Sequence, residues 1–321
     1  MAGRRAHALP RLGAPLIVAA LPRARPAGYA GPMRSLVLAF VLLSLVGCRS
    51  QSQWPETAPA DACAAGALPD EELVLRLDAS DSVRSALVWP GAAAGPRDVV
   101  VNLHEFRAEP RRQNHYSGWV PFAREAGVLL VGPDGRYATW NAGGCCGKAS
   151  EKQVEDVAYL DLLVARVEAV GCTSGRVLAT GIGNGAMMAH RWACESDVVD
   201  GVVSVGGALQ VDACPGTRPI PVLHFHGAED TFYPAEGAET LKPLEHALAL
   251  WRARNKAEGE PVVERFGQVT CRTWQGEAPV RSCIVEGMGA SWPGAADTHI
   301  DGDSPMADAT RGAFEWIRAH W

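Results

Sequence analysis

The sequence predicts one α/β domain with a mostly parallel central sheet and helices on both faces. Three observations predict it. From about residue 71 onward, short runs rich in Val, Leu and Ile alternate with helix-length stretches. Several of those runs are apolar throughout, as strands buried on both faces must be. Finally, 47% hydrophobic and 21% charged residues over 321 positions suit one large core. The 34 Gly and 22 Pro favour many turns over a coiled coil or simple helical bundle. A net charge of −6 argues against nucleic acid as a partner.

In chain order, the expected elements begin with the strand-like runs ELVLRL, SALVW and DVVVNLH. A helix around Trp119 to Ala126, the strand VLLVGPDG and a helix from about Glu151 to Val170 follow. Then come the strand RVLATG, a helix from Asn184 to Glu195, and the strands within VVDGVVSVGG and PVLHFHGAED. A helix through Leu241 to Asn255 and a final helix ending at Trp321 complete the series. No internal repeat is visible.

The N-terminal region differs in chemistry. Residues 1–47 hold six Arg and no Asp or Glu; the remainder carries 24 Lys plus Arg against 36 acids, a net −12. Met33-Arg34 opens a short apolar run that ends in Leu45-Val46-Gly47-Cys48, a basic start followed by small residues before a cysteine. The run is far shorter than the roughly 20 residues that span a bilayer. It is expected to be a lipoprotein signal peptide over 33–47, with residues 1–32 upstream of the true start and lipid carried by Cys48. Residues 48–70, Ala/Pro-rich and without periodicity, are expected to be the lipid anchor and a flexible tether, and 71–321 the folded domain. The expected location is the cell envelope, at the outer membrane or facing the periplasm, with the N-terminal lipid as the membrane contact.

Apart from Cys48, eight cysteines remain, at 63, 145, 146, 172, 194, 214, 271 and 283, an even set that suits disulfides in an exported chain. Cys271 and Cys283, close in sequence and flanking an expected hairpin, are the best pair. Adjacent Cys145 and Cys146 are expected to bond to different partners, given the usual Cα separation in a disulfide. With no CxxC pair and no HExxH, neither a metal nor another cofactor is expected.

The most informative stretch is Gly175-Arg-Val-Leu-Ala-Thr-Gly-Ile-Gly-Asn-Gly-Ala-Met-Met-Ala, a strand, a Gly-rich sharp turn and a helix. In α/β-hydrolases a GxSxG turn of this kind presents the nucleophile. Here the central residue of Gly181-Ile182-Gly183-Asn184-Gly185 is itself Gly, without a hydroxyl. Together with WNAGGCCG at 140 to 147, LHFHGAEDTFYPAEG and GMGASWPG, this turn resembles the polyhydroxybutyrate depolymerase and feruloyl esterase-like family of secreted α/β-hydrolases. The resemblance runs from about residue 84 to 318 and implies an α/β-hydrolase fold and a Ser, Asp, His triad that cleaves acyl esters.

Carried over position by position, the family's serine falls on Gly183, its acid on Asp230 and its histidine on Ala290. The oxyanion-loop equivalents are Glu105, Phe106 and Asn184. Where the family writes LHG, this chain reads Leu103-His104-Glu105, and a carboxylate there would oppose a developing oxyanion. These departures lead to the expectation of a degenerate triad and an inactive pseudoenzyme that binds an acyl-ester or saccharide ligand. Trp119, Trp140 and Trp292 are candidates to line its cleft. The alternative is an active carboxylic-ester hydrolase using displaced groups, and a third reading is a structural envelope protein. Ser174, Ser291 and His299 are weaker candidates for a migrated nucleophile or base. His224 and His226 alternate on one strand and share a face, where with Asp230 they could hold a metal, although a packing role is the stronger reading.

Overall fold

The computed structural model describes residues 51–80, 82–298, 300 and 305–321. The expected signal segment, Cys48 and His299 lie outside the described residues. The strands are β1 (Leu73–Ala79), β2 (Ser82–Trp89), β3 (Arg97–Leu103), β4 (Leu129–Pro133), β5 (Thr173–Ile182), β6 (Gly201–Val205), β7 (Val222–Gly227), β8 (Val262–Phe266), β9 (Val269–Trp274) and β10 (Val280–Val285). The helices are α1 (Pro110–Tyr116), α2 (Trp119–Ala126), α3 (Gly147–Glu151), α4 (Asp156–Gly171), α5 (Asn184–Glu195), α6 (Leu244–Arg254) and α7 (Arg311–Arg318).

The strands form one sheet in the order β1-β2-β4-β3-β5-β6-β7-β10-β9-β8. From β4 through β10 the neighbours are parallel, and antiparallel strands extend both edges. The alternation along β3 shows why its run is apolar throughout. Val99, Val101 and Leu103 face one core with Leu160, Met187, Trp192 and Trp251, whereas Val100 faces a second with Trp119, Phe122 and Phe314. Helices α4, α5 and α6 therefore cover one face of the sheet and α2 and α7 the other. This is the α/β-hydrolase arrangement, as the sequence predicts.

Three expectations need correction. The segment expected as a tether packs on the domain: Trp54 is buried, its N–H donates to the Val74 carbonyl at 2.8 Å, and Cys63 is bonded to Cys172. The indole supplies apolar area that outweighs the polar, Ala/Pro-rich surroundings. Cys145 and Cys146 are bonded to each other, because the other six pair among themselves as Cys63–Cys172, Cys194–Cys214 and Cys271–Cys283. Lastly, Trp119, Trp140 and Trp292, expected in a ligand cleft, are each fully buried. Two of them use the indole N–H within the fold, Trp140 toward the His104 carbonyl at 3.0 Å and Trp292 toward Thr310 Oγ1 at 3.0 Å.

Among the described residues no helix is long and apolar enough to cross a membrane.

Candidate active site

The sharp turn joining β5 to α5 sits at the C-terminal end of the parallel strands, where open α/β sheets place their ligands. Gly183 has φ 53° and ψ −119°, a backbone that glycine adopts without a Cβ penalty. Gly181 is needed for a different reason: a Cβ there would stand 2.7 Å from the Leu103 carbonyl oxygen and 2.7 Å from the Gly185 carbonyl carbon. The turn therefore brings the end of β3 and the first turn of α5 together.

That approach places Glu105 against the turn. A Cβ added at Gly183 would fall on the Glu105 carboxylate, so this carboxylate occupies the space of the missing elbow side chain. Three donors converge on its Oε1: the Phe106 N–H at 2.5 Å, the Asn184 N–H at 3.3 Å and the Tyr233 hydroxyl at 2.9 Å. Burial raises the Glu105 pKa, as does the nearby Asp230 charge, while the three hydrogen bonds pull it back down. Burial and the Glu105 charge push the Tyr233 phenol upward, which keeps it a donor.

Further hydrogen bonds surround this arrangement. His104 Nε2 accepts the Gly135 N–H at 2.9 Å, so Nδ1 carries the proton and donates to the Glu105 carbonyl at 2.8 Å. Burial lowers the His104 pKa to about 4, which keeps the ring neutral. The Asn184 side chain is bonded on both sides to the Trp140 backbone, accepting at 2.7 Å and donating at 3.1 Å. Asn184 thus fixes the first turn of α5 while its backbone N–H points at Glu105.

Asp230 stands where the resemblance puts the triad acid, with Oδ1 accepting the N–H groups of Phe232 and Tyr233 at 2.9 Å each. Its buried Oδ2 has no hydrogen-bond partner and lies 3.9 Å from His226 Nε2. Ala290 and Ser291 line a cavity of about 390 Å³ with Glu105, Arg107, Arg112 and Tyr116. Ser174 is elsewhere, bonded to Asp98 at 2.6 Å.

A serine–histidine pair is nevertheless present, and it overturns the expectation of a pseudoenzyme lacking one. Ser204 on β6 and His224 on β7 are register partners, and Ser204 Oγ lies 2.8 Å from His224 Nδ1. His224 Nε2 is 3.0 Å from His226 Nδ1, and His226 Nε2 is 2.8 Å from the Tyr233 carbonyl. A carbonyl only accepts, so His226 carries its proton on Nε2 and its Nδ1 accepts from His224 Nε2–H. His224 Nδ1 is then the acceptor of the Ser204 hydroxyl proton, the geometry of a base beside a nucleophile. Burial, with the neighbouring histidines, holds the His224 pKa well below its ordinary value. Burial also lowers that of His226, opposed by the Asp230 charge 3.9 Å away.

His190, on α5, stacks over His224 at 6.0 Å and accepts the Trp251 indole N–H at 3.0 Å. Ser204 and His224 are both buried under this layer. Among the described residues no group of three or more His, Cys, Asp or Glu has a metal-holding arrangement, and His224 and His226 are engaged in the hydrogen-bonded chain.

Ser204 and His190 carry no motif in the sequence, and Tyr233 lies within LHFHGAEDTFYPAEG without anything there marking its role. The one signal was the alternating His-Phe-His of β7, which puts two imidazoles on one face without naming their partner.

No family profile matches the chain. The chain is 29% identical over 240 residues to "Putative esterase NocK" of Nocardia uniformis subsp. tsuyamanensis, covering 64% of this chain and 69% of that protein. It is 24% identical to feruloyl esterase B of Piromyces equi, covering 68% of this chain and 42% of that protein. With "Probable feruloyl esterase C" of Aspergillus clavatus the identity is 32% over 121 residues, 36% of this chain and 40% of that one. The match thus spans about two fifths of the length of each of the two feruloyl esterases. Among solved structures, an acetyl xylan esterase from Aspergillus awamori superposes with a TM-score of 0.53 at 14% identity, covering 68% of this chain and 94% of that one. A structure titled as a putative dienelactone hydrolase from Klebsiella pneumoniae subsp. pneumoniae gives 0.52 at 16%, covering 78% and 100%. The structural likeness bears on the fold, and the sequence likeness is a distant one to esterases.

Proposed function

We propose that this chain is a carboxylic-ester hydrolase whose nucleophile and base are displaced from the elbow onto β6 and β7. Ser204 is the nucleophile and His224 the base that takes its proton. The observation that carries this reading is the 2.8 Å contact between Ser204 Oγ and His224 Nδ1, with the imidazole tautomer set by the chain through His226 to the Tyr233 carbonyl. Similarity to proteins named as esterases supports the reaction class. In the first step the Ser204 oxygen adds to the ester carbonyl carbon as its proton passes to His224 Nδ1, and collapse expels the alcohol with that proton. Water then releases the acid from Ser204 by the same exchange.

The substrate class supported is an acyl ester, including esters of aromatic acids on sugars. The basic start, short apolar run and Cys48 support export with lipid on that cysteine and a place in the cell envelope.

The experiment is hydrolysis of p-nitrophenyl butyrate by residues 49–321 beside Ser204→Ala, with a fluorophosphonate probe mapped by mass spectrometry. Wild type turns over and Ser204→Ala loses about a hundredfold or more in kcat. The probe adduct falls on Ser204. Because Ser204 and His224 are buried, labelling follows an opening of the layer above them and accelerates in sub-denaturing urea. An adduct on Ser291, or turnover unchanged in Ser204→Ala, would overturn the assignment.

A further inference from the structure

Glu105 has no counterpart in the chemistry of the Ser204–His224 pair, yet it is among the most heavily hydrogen-bonded side chains near the sheet's C-terminal edge. Its Oε1 receives two backbone N–H groups and one phenolic O–H, at 2.5, 3.3 and 2.9 Å. The donors come from three separate places in the chain: the loop after β3, the first residue of α5, and the loop after β7. Three donors converging on one oxygen form a seat for an anionic oxygen, and hydrogen bonds to a charged acceptor are the stronger kind. Oε1 takes all three, while Oε2 occupies the elbow side-chain space, and Glu105 lines the adjoining cavity. The chain therefore holds a carboxylate, the functional group of a carboxylic acid, in a pocket built from its own backbone.

We propose that this seat is a carboxylate-binding site, filled by Glu105 as an internal ligand and open to a small carboxylic acid when Glu105 withdraws. Two further observations fit that ligand class. The cavity of about 390 Å³ beside the seat has room for a short acyl chain, with Tyr116 and Ile182 as apolar wall. Arg107 and Arg112 line the same cavity as the acids Glu105 and Asp297, so removing Glu105 leaves its lining net positive. The seat itself would then hold three donors without an acceptor, a costly state that an incoming carboxylate relieves. A carboxylic acid is also the product of ester hydrolysis, so the inference extends the proposed function, although binding at the seat requires no turnover.

The test is calorimetric titration with sodium butyrate of the wild type, Glu105→Ala, Glu105→Gly, Glu105→Gln and the double variant Glu105→Ala/Tyr233→Phe. Glycine at this position adds no side chain to misplace, so it stands in if the alanine variant folds poorly by circular dichroism. Glu105→Ala and Glu105→Gly are expected to bind butyrate at least about tenfold more tightly than wild type. Glu105→Gln, whose amide oxygen fills the seat, is expected to resemble wild type. Loss of the Tyr233 hydroxyl is expected to weaken butyrate binding by about tenfold, the size of one hydrogen bond to a charged group.

Butyrate binding by Glu105→Ala and Glu105→Gly that is no tighter than wild type overturns the proposal, as does binding indifferent to Tyr233→Phe. If wild type fails to cleave p-nitrophenyl butyrate while Glu105→Ala binds butyrate, the hydrolase reading falls and the seat stands. If wild type cleaves the ester and neither small variant binds, the seat alone falls.

Discussion

Gly183 and Glu105 are 78 residues apart in sequence and share one small volume, which makes the elbow glycine a requirement on two counts. Its positive φ disfavours any side chain, and Glu105 already fills the space a side chain would take. Gly183→Ser is therefore expected to lower stability by about 1–3 kcal/mol, read from the urea midpoint at unchanged m-value. Adding Glu105→Gly to Gly183→Ser is expected to recover part of that loss, because the steric share vanishes while the backbone share remains. A purely additive pair would show that the two side chains do not compete. The sequence flagged Glu105 as a misfit and read its charge as hostile to an oxyanion. The structure reverses the reading, since the carboxylate is itself the anion that the donors hold.

Two of the disulfides tie a segment outside the elements to a helix end. Cys194–Cys214 joins the end of α5 to the loop between β6 and β7, across 20 residues. Cys63–Cys172 anchors the segment before β1 to the residue that follows α4, across 109 residues. In the chain-entropy account the longer loop stabilises more, about 4–5 kcal/mol against about 3. Replacing Cys63 and Cys172 together by Ala is expected to lower stability more than replacing Cys194 and Cys214, as measured by denaturant unfolding under oxidising conditions. The reverse order would mean that the segment carrying Trp54 is held by packing and not by its crosslink. Cys271 and Cys283 are direct cross-strand partners on β9 and β10, which is why their closeness in sequence identified them. The short α1 and the edge strand β8 escaped the sequence reading. Helix α1 spans only seven residues, and β8 has a mostly exposed pattern with no buried face to set a period of two.

Across the whole molecule, buried neutral histidines set the response to acid. Burial lowers His104 to about 4 and His190 to about 3, and pushes His224 well below its ordinary value. The folded chain therefore binds fewer protons than the unfolded chain below pH 6.5, so this contribution to stability is complete above 6.5 and is lost as pH falls toward 4 and 3. Glu105, Asp134 and Asp156 act in the opposite sense: burial raises their pKa, and their contribution declines as pH rises through the carboxylate range. The histidines, being the more strongly displaced, govern the interval from pH 6.5 to 5. Tm is expected to fall over that interval, as the unfolding free energy drops with a limiting slope of about 1.4 kcal/mol per pH unit for each histidine that must charge. A Tm that is flat or rising from pH 6.5 to 5 would refute this.

Sequence alone determined the α/β layering, because the two periodicities of buried residues are written locally and each β-run is bounded by Gly, Pro or a helix start. It also determined the glycine elbow and the absence of a hydroxyl there, since both are properties of consecutive residues. Tertiary structure decided the rest of the site. Ser204 meets His224 only because β6 and β7 pair in the register that sets those two side by side, 20 residues apart. Glu105 meets Asn184 and Tyr233 only because three loops end at the same edge of the sheet. Such contacts depend on register and loop closure, which are fixed by the packing of the entire core and leave no mark in any single stretch of residues.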